Sequence, residues 1–372
     1  MSIIVDAHQD IAYNMIAHGR DYTRSVEETR RIEAPSPIPG AGESVLGWPE
    51  YQRGRVAIIF STLFAAPKRT RSGGWEENIL YANFEQAHRL YQAQLDIYHR
   101  LVDEHPALFR LIQTRPELEA HLAMWDKPVS RPDDPEDRRP LGHPVGLVVL
   151  MEGAEGVRAP AELEAWWAGG VRAIGLAWAG TRYCGGTREP GPLTADGREL
   201  LAAMADLGFT LDLSHMDPPA ALQALEMYEG PVIVSHGNPL GMLKGSDSNR
   251  HLTDAVIDGV IERGGVIGIV PYNRFLVHGW TEQDGKHAVP LQVVTAHMDY
   301  ICQRAGNARH VAIGSDFDGG FGKESVPAGI DTIADLPKIV PLLAEKGYSQ
   351  DDIDAIFAGN WLAHLKRTLP DR

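Results

Sequence analysis

The chain has 372 residues, 44% of them hydrophobic and 23% charged, an ordinary composition for a protein able to bury a large core. Fifty acidic residues against thirty-five basic ones give a formal charge of −15. That field repels a phosphate backbone, so a nucleic-acid partner is not expected.

Eight short apolar runs ending in polar or glycine residues follow one another along the chain: SIIVDAH, VAIIFSTLF, VGLVVLMEG, VRAIGLAW, FTLDLSH, PVIVSHG, VIGIVPY and HVAIGSDFDG. Most are apolar at consecutive positions, as expected of strands covered on both faces in a mainly parallel sheet. Helix-like stretches alternate with them at Asn83 to His105, Pro160 to Trp167, Thr194 to Asp206, Pro218 to Met227, Thr253 to Arg263 and Leu291 to Arg304. After the last strand, Ser349 and Asp352 have the spacing of a capping box and open a closing helix, DDIDAIFAGNWLAHLKR, expected to seal the barrel. The pattern predicts an α/β fold, a (β/α)8 TIM barrel, forming one domain over residues 1–372. Three segments read as loops: APSPIPGAGES, KPVSRPDDPEDRRPLGHP and YCGGTREPGPL. The first and third follow strands and could overhang the catalytic face, whereas the second precedes a strand and belongs to the opposite face.

In such barrels the chemistry gathers at the C-terminal ends of the strands. His8 and Asp10 end the first run, Glu152 the third, His215 the fifth, His236 the sixth and Asp316 the eighth. The two-residue spacing of His8 and Asp10 aims both side chains the same way along a strand. Imidazole and carboxylate together suit a borderline divalent ion, and Zn2+ is the expected cofactor, with a position open for water. A single His-x-Asp carries little weight, but five strand ends bearing ligand-type residues, where a barrel interior favours branched apolar ones, form a joint pattern. His88, His99, His105, His121, His297 and His364 fall in helix-like segments and are read as surface or packing residues, and His310 begins the eighth run at the stability face.

With VDAHQD, LMEG, LDLSH, PVIVSH and AIGSDFDG in this order, the chain resembles the membrane dipeptidase (renal dipeptidase) family, peptidase family M19 of the amidohydrolase superfamily. RGRVAIIFSTLF, NRHLTDAVI, PYN and GNWLAHL extend the resemblance over nearly the whole chain. It implies a metallopeptidase that cleaves the peptide bond of dipeptides at a centre of two divalent ions. Glu152 would bridge the ions, with His8, Asp10 and Asp316 completing one side and His215 and His236 the other. A hydroxide shared by the ions would attack the scissile carbonyl, with Asp316 as general base, as well as ligand. Arg250 matches the position that grips the free carboxylate of the substrate, Tyr272 matches a pocket tyrosine, and the family makes a homodimer plausible.

Two departures touch the pocket. Trp178, in GLAWAGTR, stands where family dipeptidases carry a substrate-contacting histidine near the developing oxyanion, and GAEG replaces a common Gly-Gly-His after the bridging glutamate. Tryptophan offers one N–H donor and cannot become a cation. Either Trp178 reshapes the pocket, or Arg182 or Arg188 takes over, or dipeptidase activity is lost. A dipeptidase therefore stands beside a two-metal hydrolase of another amide, lactone or ester, and beside a non-catalytic metal-binding relative. Two cysteines, Cys184 and Cys302, an opening run without signal-peptide pattern, and no run of roughly eighteen apolar residues predict a cytoplasmic protein with a small-molecule substrate and no membrane partner.

Overall fold

A computed structural model describes residues 3–70, 77–129 and 141–372. All eight expected strands form: β1 (Ile4–Gln9), β2 (Val56–Phe64), β3 (Val145–Glu152), β4 (Val171–Gly175), β5 (Thr210–Asp212), β6 (Val232–Ile233), β7 (Ile267–Ile269) and β8 (Val311–Ile313). They pair in parallel in sequence order, and β8 returns to β1 through Asp6 opposite Ile313. The ring closes between β6 and β7 by a bridge of Val234 to Ile267. This is the TIM-barrel fold. Backbone crowding at this closure demands glycine: a Cβ at Gly268 or Gly314 would lie 2.0 or 1.9 Å from the carbonyl oxygen of Ser235. The ends of β6, β7 and β8, which carry His236, Tyr272 and Asp316, are thereby drawn together.

The alternation along β3 shows how side chains are sorted. Val145, Leu147, Val149 and Met151 pack into the large outer cluster, while Val148 and Leu150 join a second cluster that contains Phe60 and Trp361. Glu152 continues the second set to the mouth of the barrel. The helices follow the sequence reading closely. Phe84–Glu104 is capped by Asn83, Ala195–Leu207 by Thr194 and Asp254–Glu262 by Thr253, each cap side chain accepting from a first-turn N–H. Ser349 and Asp352 form the expected reciprocal box. The closing segment is not one uniform helix, however, but Gln350–Asp354 and Asn360–Thr368 joined by a wide π turn over Ala355–Gly359. Its residues reach three strands at once: Trp361 lies against Phe60 of β2 and donates to the carbonyl of Ile313 on β8 (2.8 Å), and His364 contacts Thr210 of β5 (3.1 Å). A helix touching strands across the ring plugs the barrel.

Two features went beyond the sequence reading. A short strand, Phe109–Leu111, adds to the edge of β3. YCGGTREPGPL is an antiparallel hairpin, Cys184–Gly186 with Glu189–Leu193, and not only a loop. Its glycines give a physical reason: a Cβ on Gly185 would lie 2.1 Å from the nitrogen of Gly191, so the close approach needs the composition that reads as loop. APSPIPGAGES does reach the catalytic face, through Gly40, as does the hairpin turn through Thr187 and Arg188. Residues 130–140 of the middle loop lie outside the described residues. Among the described residues no helix is long and apolar enough to cross a membrane.

Candidate metal centre and substrate cavity

The strand ends open into a cavity of about 480 Å³, lined by Asp10, Glu152, His215, Asp316, Trp178, Arg250 and Tyr272 among others. His8 and His236 are fully buried beneath its floor. Glu152 is central because its two oxygens face different partners: Oε2 lies 3.6 Å from His8 Nε2, whereas Oε1 lies 3.0 Å from His215 Nε2 and 3.5 Å from His236 Nε2. His8 Nε2 also stands 3.9 Å from Asp10 Oδ2 and 3.7 Å from Asp316 Oδ1. Two overlapping sets of donors close enough for one ion each follow, His8, Glu152 and His236, and His8, Asp10 and Asp316. The six residues named from sequence thus meet at one place.

The chemistry of the donors fits divalent metal. His8 Nε2 is buried without a hydrogen-bond partner. The Nε2 atoms of His215 and His236 lie 2.9 Å apart, so both rings turn the same nitrogen toward Glu152 and the centre of the cluster. Burial, and then the charges of Asp10 and Glu152, push the Asp316 carboxyl well above the usual carboxylate range. Burial and Glu152 likewise push Asp10 up to about 7. Burial opposes a charged His8, but Glu152, Asp10 and Asp316 outweigh it and raise its pKa to about 10. Burial lowers His215 to about 4 and drives His236 well below the ordinary histidine value, in both cases aided by Arg250. These shifts describe a buried cluster of carboxylates short of cations, which bound metal relieves.

Several residues that position the donors were not singled out from the sequence. Thr62 of β2 donates to Asp10 Oδ1. Thr187 Oγ1 lies 2.9 Å from His215 Nδ1. Asp212, buried at the end of β5, accepts from the hydroxyls of Ser214 (2.7 Å) and Ser235 (2.5 Å) and from both of their backbone N–H groups. Ser235 has spent its proton on Asp212, so its oxygen accepts from His236 Nδ1 at 2.9 Å, leaving Nε2 bare for a metal. Asp212→Asn would face Ser235 with a donor and favour the other tautomer. The expected result is a roughly ten- to hundredfold weaker divalent-metal affinity, read by competition of metal-free protein with a chromophoric chelator. Unchanged affinity would reduce Asp212 to a packing role.

Backbone geometry at the site is also constrained. His215, Asp316 and Asp318 adopt left-handed φ angles of 66°, 56° and 61°. Such residues cost on the order of 1–3 kcal/mol each unless surroundings hold them. Asp318 is the anchor for its turn: its carboxylate accepts from Tyr22 (3.0 Å), Ser44 (2.7 Å) and the N–H of Val45 (2.9 Å) and pairs with Arg20 (3.2 Å).

The cavity also separates the two arginines proposed as substitutes for the missing histidine. Arg188 lines it, whereas Arg182 turns away to Tyr183 and the carbonyl of Val157. The GAEG segment, which follows Glu152, contributes no residue to the lining of this cavity. Tyr272 stacks on Phe321 with centroids 4.1 Å apart. Cys184 and Cys302 are free and buried.

A parallel barrel whose mouth gathers three histidines and three carboxylates fits a metal-dependent hydrolase. Residues 126–368 match the family described as membrane dipeptidase (peptidase family M19), and the chain belongs to that family. The matched span holds Glu152, His215, His236, Arg250 and Asp316, while His8 and Asp10 precede it. A Klebsiella pneumoniae protein described as an uncharacterized protein in the pqqA 5' region is 32% identical over 233 residues, covering 60% of this chain and 82% of that protein. Dipeptidase aclJ of Aspergillus oryzae is 23% identical over 340 residues, 87% of this chain and 71% of that enzyme. Among solved structures, a Rhodobacter sphaeroides metallo peptidase liganded with a phosphinate mimic of L-Ala-D-Ala superposes with a TM-score of 0.76 at 22% identity, covering 98% of this chain and 99% of that one.

Proposed function

We propose that residues 1–372 act as one catalytic domain, a dipeptidase in which Glu152 would serve both of two divalent ions, zinc being the best match. His8, Asp10 and Asp316 would hold one ion, and His215 and His236 the other. The observation that carries this reading is the division of Glu152, with one oxygen toward His8 and the other toward His215 and His236. When bound, the ions supply Lewis acidity that polarises the scissile carbonyl and brings the pKa of a shared water toward neutrality. Asp316, at the rim of the ligand set, takes the proton of the attacking water and returns it to the departing amine.

Arg250 supplies the grip on the substrate. Its guanidinium is buried, donates to the carbonyl of His236 (3.2 Å), and leaves Nε and Nη1 without partners. Buried N–H groups are costly to leave unmade, and a substrate carboxylate satisfies them. Arg250→Ala is therefore expected to lower kcat/KM for free-acid dipeptides by roughly a hundredfold or more. Much of the loss should fall on KM, with little change for C-terminal amides. Zinc-loaded protein that turns over no dipeptide across L,L and L,D panels would sink the dipeptidase reading. Trp178 favours a second reading, a two-metal hydrolase of another amide, lactone or ester, which the same assay tests when lactones and acylated amino acids are included. The buried, unpaired cysteines support a reducing compartment such as the cytoplasm, and a homodimer is the assembly to test by light scattering.

A further inference from the structure

The cavity has two facing walls, and Glu152, at the end of β3, belongs to the strands of the second. Over β6 and β7 stand Arg250, Tyr272 and Phe275, and across the mouth, over β1, β2 and β4, stand Tyr13, Phe64 and Trp178. In the second wall three rings follow one another, Tyr13 and Phe64 buried and Trp178 half-buried at the cavity. Trp178 and Phe64 meet edge to face at 5.3 Å, Phe64 and Tyr13 at 5.7 Å, and the Trp178 ring lies 6.0 Å from that of His215. Ala66, Ile79 and Leu80 back it, with Ile16 and Ala17 packed alongside.

We infer that this wall is a subsite for a bulky apolar group on the acyl side of the scissile bond, which makes dipeptides with a large aliphatic or aromatic N-terminal residue the preferred substrates. The inference rests on the dipeptidase reading for its direction. With the carboxylate on Arg250 and the carbonyl at Glu152, the substrate runs away from β6 and β7 and its N-terminal residue arrives over β2 and β4. Trp178 stands where related dipeptidases place a histidine, so a polar, chargeable contact is exchanged for flat apolar surface beside a metal ligand. Burial of a side chain against the half-buried Trp178 ring discriminates by the area covered, which a glycine in the same place does not supply.

The test is the series Gly-Ala, Ala-Ala, Leu-Ala and Phe-Ala on zinc-loaded protein, with matching phosphinate mimics as probes that cannot be cleaved. The expected result is a kcat/KM at least roughly tenfold higher for Leu-Ala and Phe-Ala than for Gly-Ala. Trp178→His should flatten that order and Trp178→Phe should keep it, melting curves confirming that both variants fold. Equal rates along the series, or an order unchanged in Trp178→His, would overturn the subsite. If no dipeptide is cleaved, calorimetric binding of the mimics still decides: tighter binding of the phenylalanine mimic in wild type, lost in Trp178→His, upholds the subsite while the dipeptidase reading fails, and equal binding removes both.

Discussion

Asp316→Asn is expected to lower kcat for dipeptide hydrolysis roughly a hundredfold to ten-thousandfold while KM moves only a few-fold. The substitution is conservative where it must be. Asp316 sits at φ 56°, a conformation asparagine tolerates better than almost any other residue with a side chain, so the turn held by Asp318 should survive. What is lost is the charge proposed to accept the proton, since an amide oxygen is too weak a base for the task. Because Asp316 is also within reach of His8 and Asp10, metal content must be measured alongside rate. A collapse of kcat at retained metal assigns the proton to Asp316. Unchanged kcat at full metal content removes it from the reaction, and parallel loss of metal and rate makes it a ligand alone.

The fold and the cluster of side chains at its mouth were legible in the sequence for one physical reason. A barrel strand buried on both faces is an unbroken apolar run, and a polar residue at its end is conspicuous. His8, Glu152, His215, His236 and Asp316 all stand out in this way. The expected same-face spacing of His8 and Asp10 led to the right place by a different route, because β1 ends at Gln9 and Asp10 is held by Thr62. What stayed hidden are residues whose role depends on partners remote in the chain. Asp318 draws its contacts from Tyr22, Ser44 and Val45 some 273 to 296 residues away, and Asp212 reaches Ser235 across 23. A signal for both was present: an aspartate inside LDLSH or SDFDG must be paired if buried, but sequence does not reveal with what. The hairpin at Cys184–Leu193 was obscured by its own glycines and prolines.

Removing the divalent ions with a chelator is expected to abolish activity and to lower the melting temperature by an amount that grows between about pH 7 and 9. In the metal-free site Asp10 is raised to about 7 and His8 to about 10, both above their ordinary values of 3.8 and 6.5. The native state then holds protons that the unfolded chain has already released, so stability falls as pH rises. For Asp10 the loss runs from about pH 4 up through 7, and for His8 from about 6.5 up through 10. His215, lowered to about 4, acts below this window, costing stability as pH falls under 6.5. Bound metal replaces those protons, so loaded protein should show a flat response over the same range and its metal affinity should climb with pH. Thermal melts of chelated and zinc-loaded protein at several pH values, with elemental analysis near two ions per chain, make the comparison. A melting difference that ignores pH would separate metal from the charge balance at His8 and Asp10, and a stoichiometry of one would remove the bridging role of Glu152.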